Sequence, residues 1–574
     1  MAYNRLYQAS CLWRRDAPVP AAAWVLPSRQ RCGESRRVPW LLLVLLCVLG
    51  DCAYAQAQPI PGAMQSGAVV EPVRRTGVRS PVFHVADADV AFFMDYTGFR
   101  YADETRSRGE RFFNSEIVPK VLDMIDAAET HIILSVFLFD CIHAAAGSSR
   151  DVVREVTDAL LRKRKAKPGI RIVLILDPAN KAYGRRVSEA ERRLREQGVD
   201  VFYSDLLSGL RRAGFLGVRE SLGHVNRAID SVTFGGWGGL WSGLFSYAKL
   251  PPKLDGEHVS VESVYNASLM KANHRKVLVA DVHGQGFEAL VSSANPHNAS
   301  AFNVNSAVSV RGDFARYAYN VLREDMRQCA DLGGRYAHWH ADADRAYRAR
   351  YFSECLPVLA MDTASASERT VDRPVGATFV TEGEIVRAVI ELLWQAEEGD
   401  EIRIQMFYLS FQPVLDALLD AAVRTQRPVR LLLDANKDSF NMEKDGTPNR
   451  QVARYLLREA AARGATVLVR WYSTHGEQNH AKTMSIINPV RGKFVLTTGS
   501  CNWTGRNMDG INMEANVVVD GSRRVVGQFN RLFDLFWTNG DGSEYSVDYE
   551  AFERDTASDL KWRMGEKPFY YSTF

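Results

Sequence analysis

The chain has 574 residues, of which 46% are hydrophobic and 24% charged, with a formal net charge of +3. That length exceeds one ordinary hydrophobic core, so two large domains are expected. A charge this close to neutral supplies no global field for nucleic acid, and any anionic substrate has to be held by local cations.

In chain order, Arg36 and Arg37 precede "VPWLLLVLLCVLG", an apolar run of 13 residues. A bilayer span needs about 20 residues, so the run fits the h-region of a signal peptide instead. "AYA" at 53–55 supplies a small-x-small cleavage pattern. Residues 1–55 are therefore read as a signal peptide, and the product as exported: periplasmic or secreted, with contact at a membrane surface allowed. Cys11, Cys32, Cys47 and Cys52 leave with it. Cys141, Cys329, Cys355 and Cys501 remain, too few for a disulfide scaffold, and no C-x-x-C pair offers a thiolate zinc site. In an oxidising compartment Cys329 and Cys355 are expected to bridge.

The next elements occur twice. "EIVPKVLDMIDAAETHIILSVFLFD" (116–140) matches "EIVRAVIELLWQAEEGDEIRIQMFYLS" (384–410), each a helix-spaced apolar stretch running into a β-rich one. Helical stretches 151–165 and 413–425 follow. Then come buried-strand patterns, "IRIVLILDPANKAYG" (170–184) and "VRLLLDANKDSFN" (429–441). Asp177 stands 97 residues before His274, and Asp434 46 before His480. Strand and helix in alternation predict an α/β fold: two tandem, pseudo-twofold-related α/β sandwich domains with mostly parallel sheets. The halves are placed at 85–325 and 375–545, with a polar linker at 331–374 and a C-terminal extension at 546–574. The first half carries an insert at 203–260, including "FGGWGGLWSGLFSYAKLPP" (234–252). It reads either as a packed loop or as an apolar lip that meets lipid.

"NHRKVLVAD" (273–281) then has an echo in "NHAKTMSII" (479–487). Residues two apart share a strand face, so His274 and Lys276 point one way, as do His480 and Lys482. Each half continues into a small turn with an Asn: Ser293 and Asn295 in "SSANPHN", Ser500 and Asn502 in "GSCNWTG". Later, "FNVNSAVSV" and "INMEANVVV" align Asn305 with Glu514. Two ammoniums and two amides suit the oxygens of one phosphodiester. Two imidazoles suit displacement at phosphorus, one attacking and one protonating the leaving alcohol.

On these residues the chain resembles the phospholipase D superfamily, whose signature is H-x-K-x-x-x-x-D followed by G-S/G-x-N. The resemblance spans 85–545. It implies a covalent phosphohistidine, no metal and no cofactor, with His274, Lys276, Asp281, His480, Lys482, Asn295, Asn502 and Glu514 in catalysis and Ser293, Ser500 and Asn305 at the substrate. The second copy departs at Ile487, where the first has Asp281; a missing acid there also resembles tyrosyl-DNA phosphodiesterases. Glu514 is expected to supply a carboxylate to His480 in its place, and Asn305 a neutral amide to His274. A carboxylate on imidazole Nδ1–H stabilises imidazolium, which makes His274 the neutral nucleophile and His480 the general acid.

The expected function is an exported, metal-independent phosphodiesterase of phospholipids, by hydrolysis or phosphatidyl transfer. The partners are a phospholipid and a membrane surface, and nucleic acid is the less favoured substrate. An exported nuclease and a catalytically degenerate lipid-binding protein are the alternatives. One chain holds both half-sites, so a monomer is expected to act. "HWHADAD" (338–344) could bind a metal, but reads as a solvated loop, and the basic run "LRKRKAK" (161–167) reads as a solvated helix end.

Overall fold

The computed structural model describes residues 77–552, apart from 103–108, 141–149, 178–179, 181–187, 205–271, 285, 332–349, 362–373, 440–441, 444–445 and 511. The expected signal peptide, the Trp/Gly-rich stretch and "HWHADAD" lie outside the described residues. Among those described, no helix is long and apolar enough to cross a membrane.

The early strands are β1 (Phe83–Val85), β2 (Val90–Tyr101), β3 (Gly109–Asn114), β4 (Ala128–Val136), β5 (Arg171–Leu176) and β6 (Asp200–Tyr203). Next come β7 (Val277–Val282), β8 (Gly286–Ser292), β9 (Asn305–Arg311) and β10 (Val375–Thr381). Then follow β11 (Glu401–Met406), β12 (Val429–Asp434), a small hairpin of β13 (Asp438–Ser439) and β14 (Met442–Glu443), and β15 (Val467–Tyr472). The last are β16 (Lys482–Asn488), β17 (Lys493–Gly499), β18 (Ala515–Asp520) and β19 (Ser546–Asp548).

One sheet has the order β3-β2-β9-β8-β7-β4-β5-β6, the other β1-β10-β18-β17-β16-β11-β12-β15-β19. Seven strands follow the same order in both, with β2 corresponding to β10 and β6 to β15. Tandem α/β organisation is therefore present, but "mostly parallel" was not a correct expectation. Among the described residues, only the strand pairs β4–β5, β5–β6, β11–β12 and β12–β15 run parallel. The cause lies in connection length. A parallel crossover needs a dozen or more residues, whereas the turns after Val282 and Asn488 are far shorter and force β7–β8 and β16–β17 to run antiparallel.

Strands β4 and β5 are apolar on both faces because both are covered. Ile132, Leu134, Ile172 and Leu174 face outward, onto the helices Ile117–Ala127 and Val152–Ala166. Ile133, Val173 and Ile175 face a central core shared with Phe379, Val517 and Val519 of the other sheet. Two helices fill that core: Asp313–Asp331 through Phe314, Ala318 and Leu322, and Arg523–Thr538 through Val525, Phe529 and Phe533. The spacing of those apolar residues is that of one helical face. The chain is thus layered as helices, sheet, central helices, sheet, helices.

Three boundaries differ from the sequence reading. β1 pairs with β10 and so joins the second sheet, and β19 joins it from the expected extension by pairing with β15. Within the expected linker, Tyr351, Phe352 and Leu356 are buried in the central core. Cys355 is a free thiol, so the bridge to Cys329 is not made. In the basic run, Lys163 donates to the Asp126 carbonyl (2.5 Å), Arg164 to that of Ile170 (2.7 Å), and Lys167 pairs with Glu129. Cations at a helix C-terminus complement its exposed carbonyls, and this run has that structural use.

Candidate active site

Each Asn-His-x-Lys segment is hung from a carboxylate at the end of β5 or β12, one strand beyond the immediate neighbour of the strand it leads into. Asp177 Oδ2 accepts from the Asn273 N–H (2.5 Å), and Asp434 Oδ2 from the Asn479 N–H (2.7 Å). The segments then touch the opposite half. Met513 N–H donates to Ala272 O and His274 N–H to Met513 O, both at 2.8 Å. In the mirrored contact, Val304 N–H donates to Gln478 O at 2.8 Å. Asn512 and Asn303 repeat the pattern, accepting from the N–H groups of Ala272 (2.9 Å) and Gln478 (3.0 Å).

These contacts decide which group supports which ring, and the outcome reverses the expectation. Glu514 Oε1 lies 2.9 Å from His274 Nδ1, while Asn305 Oδ1 lies 3.1 Å from His480 Nδ1. Each half supports the histidine of the other. The serines follow their partners: Ser500 and Asn507 donate to the Glu514 carboxylate, and Ser293 Oγ donates to Asn305 Oδ1 (3.1 Å). The second Asn305 contact, Nδ2 to Asn303 O at 3.0 Å, fixes which end of the amide faces the ring. An acceptor at Nδ1 requires Nδ1–H, so a neutral ring keeps its lone pair on Nε2.

The lysines sit symmetrically. Lys276 Nζ donates to His274 O and Lys482 Nζ to His480 O, both at 2.6 Å. Their ammoniums lie 5.3 Å from the Phe137 ring and 5.1 Å from Phe407, and the same rings flank His274 and His480 at 5.1 and 5.0 Å. Asn295 Oδ1 accepts from Leu138 N–H (3.2 Å), whereas the buried Asn502 Oδ1 has no partner among the described residues.

Burial sets the protonation. It pushes His274 down to about 4 against the opposing Glu514 charge, and Lys276 down to about 7 against Glu514 and Asp177. Burial drives His480 and Lys482 far below their ordinary values, and each is lowered further by Lys276 of the other half. Both half-sites therefore share one field. Desolvation raises the Glu514 carboxyl, but His274, Lys276 and Ser500 outweigh it and the net shift is downward. Without an anion the pocket cannot hold its full complement of protons; a bound phosphodiester would restore it.

Asp281 is not among these groups. At an extended rise of about 3.3 Å per residue it lies about 23 Å along the chain from His274. There, the pairing of β4 with β7 slips between Ala128 and Ile132, leaving unpaired N–H groups. Asp281 takes them: Oδ1 accepts from Glu129 (3.2 Å), Thr130 (2.9 Å) and His131 (2.8 Å). In the second half β11 pairs with β16 without a slip, Glu401 opposite Ile487 and Ile402 opposite Ile486. No stranded donors exist there, so Ile487 packs in the central core instead. The acid is dropped because the bulge is. Asp281→Ala is accordingly expected to cost about 2 kcal/mol through unsatisfied donors, some of them partly solvated. Its kcat should stay within twofold of wild type, as steady-state kinetics and urea unfolding would check.

Asp177, Asp434, Phe137 and Phe407 were missed as site residues. Their signal was present: an acid and an aromatic at matching strand ends in both halves.

Residues 389–537 match a family model described as "Cardiolipin synthase, PLD-like domain". No curated protein sequence matches the chain. Among solved structures, it is similar to the phosphatidylserine synthase of Haemophilus influenzae Rd KW20, with a TM-score of 0.53 at 9% identity over 88% of this chain and 98% of that one. A polyphosphate kinase from Porphyromonas gingivalis gives a TM-score of 0.37 at 12% identity, over 82% of this chain and 53% of that one. Nuc from Salmonella typhimurium, a phospholipase D family member, gives 0.23 at 17% identity, over 30% and 98%. The paired His-x-Lys segments and the family match agree in pointing to a phospholipase D-like domain over residues 389–537.

Proposed function

We propose that this chain is an exported phosphodiesterase acting on phospholipids, by hydrolysis or by phosphatidyl transfer to an alcohol, with no metal. The observation that supports it most is the crossed pair of buried imidazoles, each held as Nδ1–H from the other half beside two lysines. A lipid substrate is further supported by the description of the matched family and by the apolar insert read from the sequence.

In this reading Nε2 of His274 attacks phosphorus while the P–O bond to the leaving alcohol breaks. His480, protonated once the anion is bound, donates its Nε2 proton to that oxygen. Water or an alcohol, deprotonated by His480, then attacks phosphorus and the P–N bond breaks. His274 is assigned as nucleophile because its attack creates a cationic phosphoimidazolium, and Glu514 is the group that offsets a positive charge on a ring. This replaces the sequence-based reason for the same assignment, which placed Glu514 on the wrong histidine.

The test incubates the purified mature chain with labelled phospholipids and, separately, with DNA, in EDTA, with and without glycerol. The expected result is lipid turnover unaffected by chelation, with glycerol diverting product if transfer operates. Cleavage of DNA alone would move the assignment to a nuclease. Activity lost in EDTA and restored by a divalent ion would overturn the metal-free scheme.

A further inference from the structure

We propose that Arg275, the variable residue of the first Asn-His-x-Lys segment, is a positioning residue that fixes the Glu514 carboxylate on His274, acting with Glu382 and Asp325. The inference rests on the reading of His274 as a reacting ring, but one of its readouts needs no turnover.

Strand alternation turns Arg275 away from the face of His274 and Lys276, into the space between the halves. Its side chain is 4% exposed there. Nε and Nη2 donate to Glu382 Oε1 at 3.1 and 2.6 Å, Nη1 donates to Asp325, and Nε also reaches the Glu514 carbonyl at 3.3 Å. Glu382 Oε1 in turn accepts the Glu514 N–H at 3.0 Å. The backbone of Glu514 is therefore held at its N–H by Glu382 and at its carbonyl by Arg275. Ser500 and Asn507 hold the carboxylate itself. With backbone and side chain both fixed, the acceptor for His274 Nδ1–H has one place to be.

Two observations separate this from a generic buried ion pair. Glu382 adopts φ 45° and ψ −127°, a conformation that residues with a side chain avoid. Such conformations persist where the surroundings impose them, and they cluster at functional sites. The arrangement is also one-sided. The residue matching Arg275 in the second half is Ala481, buried in the central core. That half supports its ring with the neutral Asn305. The clamp is found where the supporting group is a charge, which is where a small displacement changes the field at the ring most.

A purely structural bridge would lower stability when broken and leave His274 as it was. The experiment therefore reads the ring. In the full chain carrying ¹⁵N-labelled histidine, with His274→Gln used for assignment, the wild-type ring is expected as the Nδ1–H tautomer alone. Arg275→Ala, which copies the second half, is expected to give a mixture of tautomers. With the phosphodiester substrate, kcat should fall about 10- to 100-fold, the range for loss of a group that orients a reacting ligand, while KM moves less than about threefold. Arg275→Lys should recover part of the loss. Should Arg275→Ala fail to fold, Glu382→Gln carries the test, since it keeps the volume and an acceptor for the Glu514 N–H while removing the charge. A single unchanged tautomer and unchanged kcat in the folded variants would overturn the proposal. Absence of wild-type turnover would instead overturn the phosphodiesterase reading, and the tautomer measurement would still decide the clamp.

Discussion

His274→Ala and His480→Ala are each expected to lower kcat on an unactivated phosphodiester by about 10⁴-fold or more, the combined scale of lost covalent and acid–base catalysis. Unfolding midpoints should stay close to wild type. Apart from the two ring contacts, the halves are joined here by Met513 N–H to Ala272 O and Val304 N–H to Gln478 O and by the Asn512 and Asn303 side chains, and alanine keeps all of these. Each imidazole makes one polar side-chain contact, to Glu514 or to Asn305. The doubly substituted chain should be little worse than either single one, because groups that act as a unit do not contribute additively. Initial rates at saturating substrate, with circular dichroism on the same samples, decide the matter. Near wild-type kcat in either variant would end the two-histidine scheme.

Much of the architecture could be read from residues because the elements are strongly patterned. The runs at β4, β5 and β12 carry apolar residues on both faces, β11 alternates apolar Ile402, Ile404 and Met406 with polar residues, and the helices between them carry one apolar stripe each. The His, Lys, Ser and Asn positions recur at matching places in both halves; the structure brings His274, Ser500 and Glu514 into one crossed contact and His480, Ser293 and Asn305 into the other, with Lys276 and Lys482 on the histidine carbonyls. What pattern could not supply was partnership across the halves. Asn305 and Glu514 each lie near their own half's histidine in sequence, yet β9 and β18 deliver them to the opposite one through the Val304–Gln478 and Met513–Ala272 contacts. Sequence order within one half carries no information about that exchange. Asp281 misled for a different reason. A carboxylate near a reactive histidine in sequence reads as chemistry, whereas this one caps N–H groups stranded by a register slip, which a sequence does not display. Arg275 had no counterpart in the second half, so the comparison that exposed the other residues passed over it.

The crossed geometry also changes what Glu514→Gln should do. Had Glu514 charged the general acid, its loss would have fallen on poor, alkoxide-like leaving groups and spared activated ones. It stands 2.9 Å from His274 Nδ1 instead. As the support of the nucleophile, its negative charge offsets the positive charge that appears on the ring when Nε2 bonds to phosphorus. That charge forms whatever group departs. Glu514→Gln is therefore expected to slow a natural phosphodiester and a nitrophenyl phosphodiester by similar factors, about 10²- to 10³-fold for a charge-stabilising group in a buried site. The variant keeps the volume and one acceptor oxygen, which can serve Asn507, while its amide NH2 can donate to the Ser500 hydroxyl, so its fold should hold. His480→Gln provides the contrast. It removes the proton donor, and a nitrophenolate needs little protonation to leave, so the activated substrate should retain formation of the covalent adduct. With the second step also deprived of its base, phosphohistidine should accumulate, and peptide mapping should find it at His274. Adduct at residue 480 in His274→Gln, together with a selective loss on poor leaving groups in Glu514→Gln, would exchange the roles of the two rings.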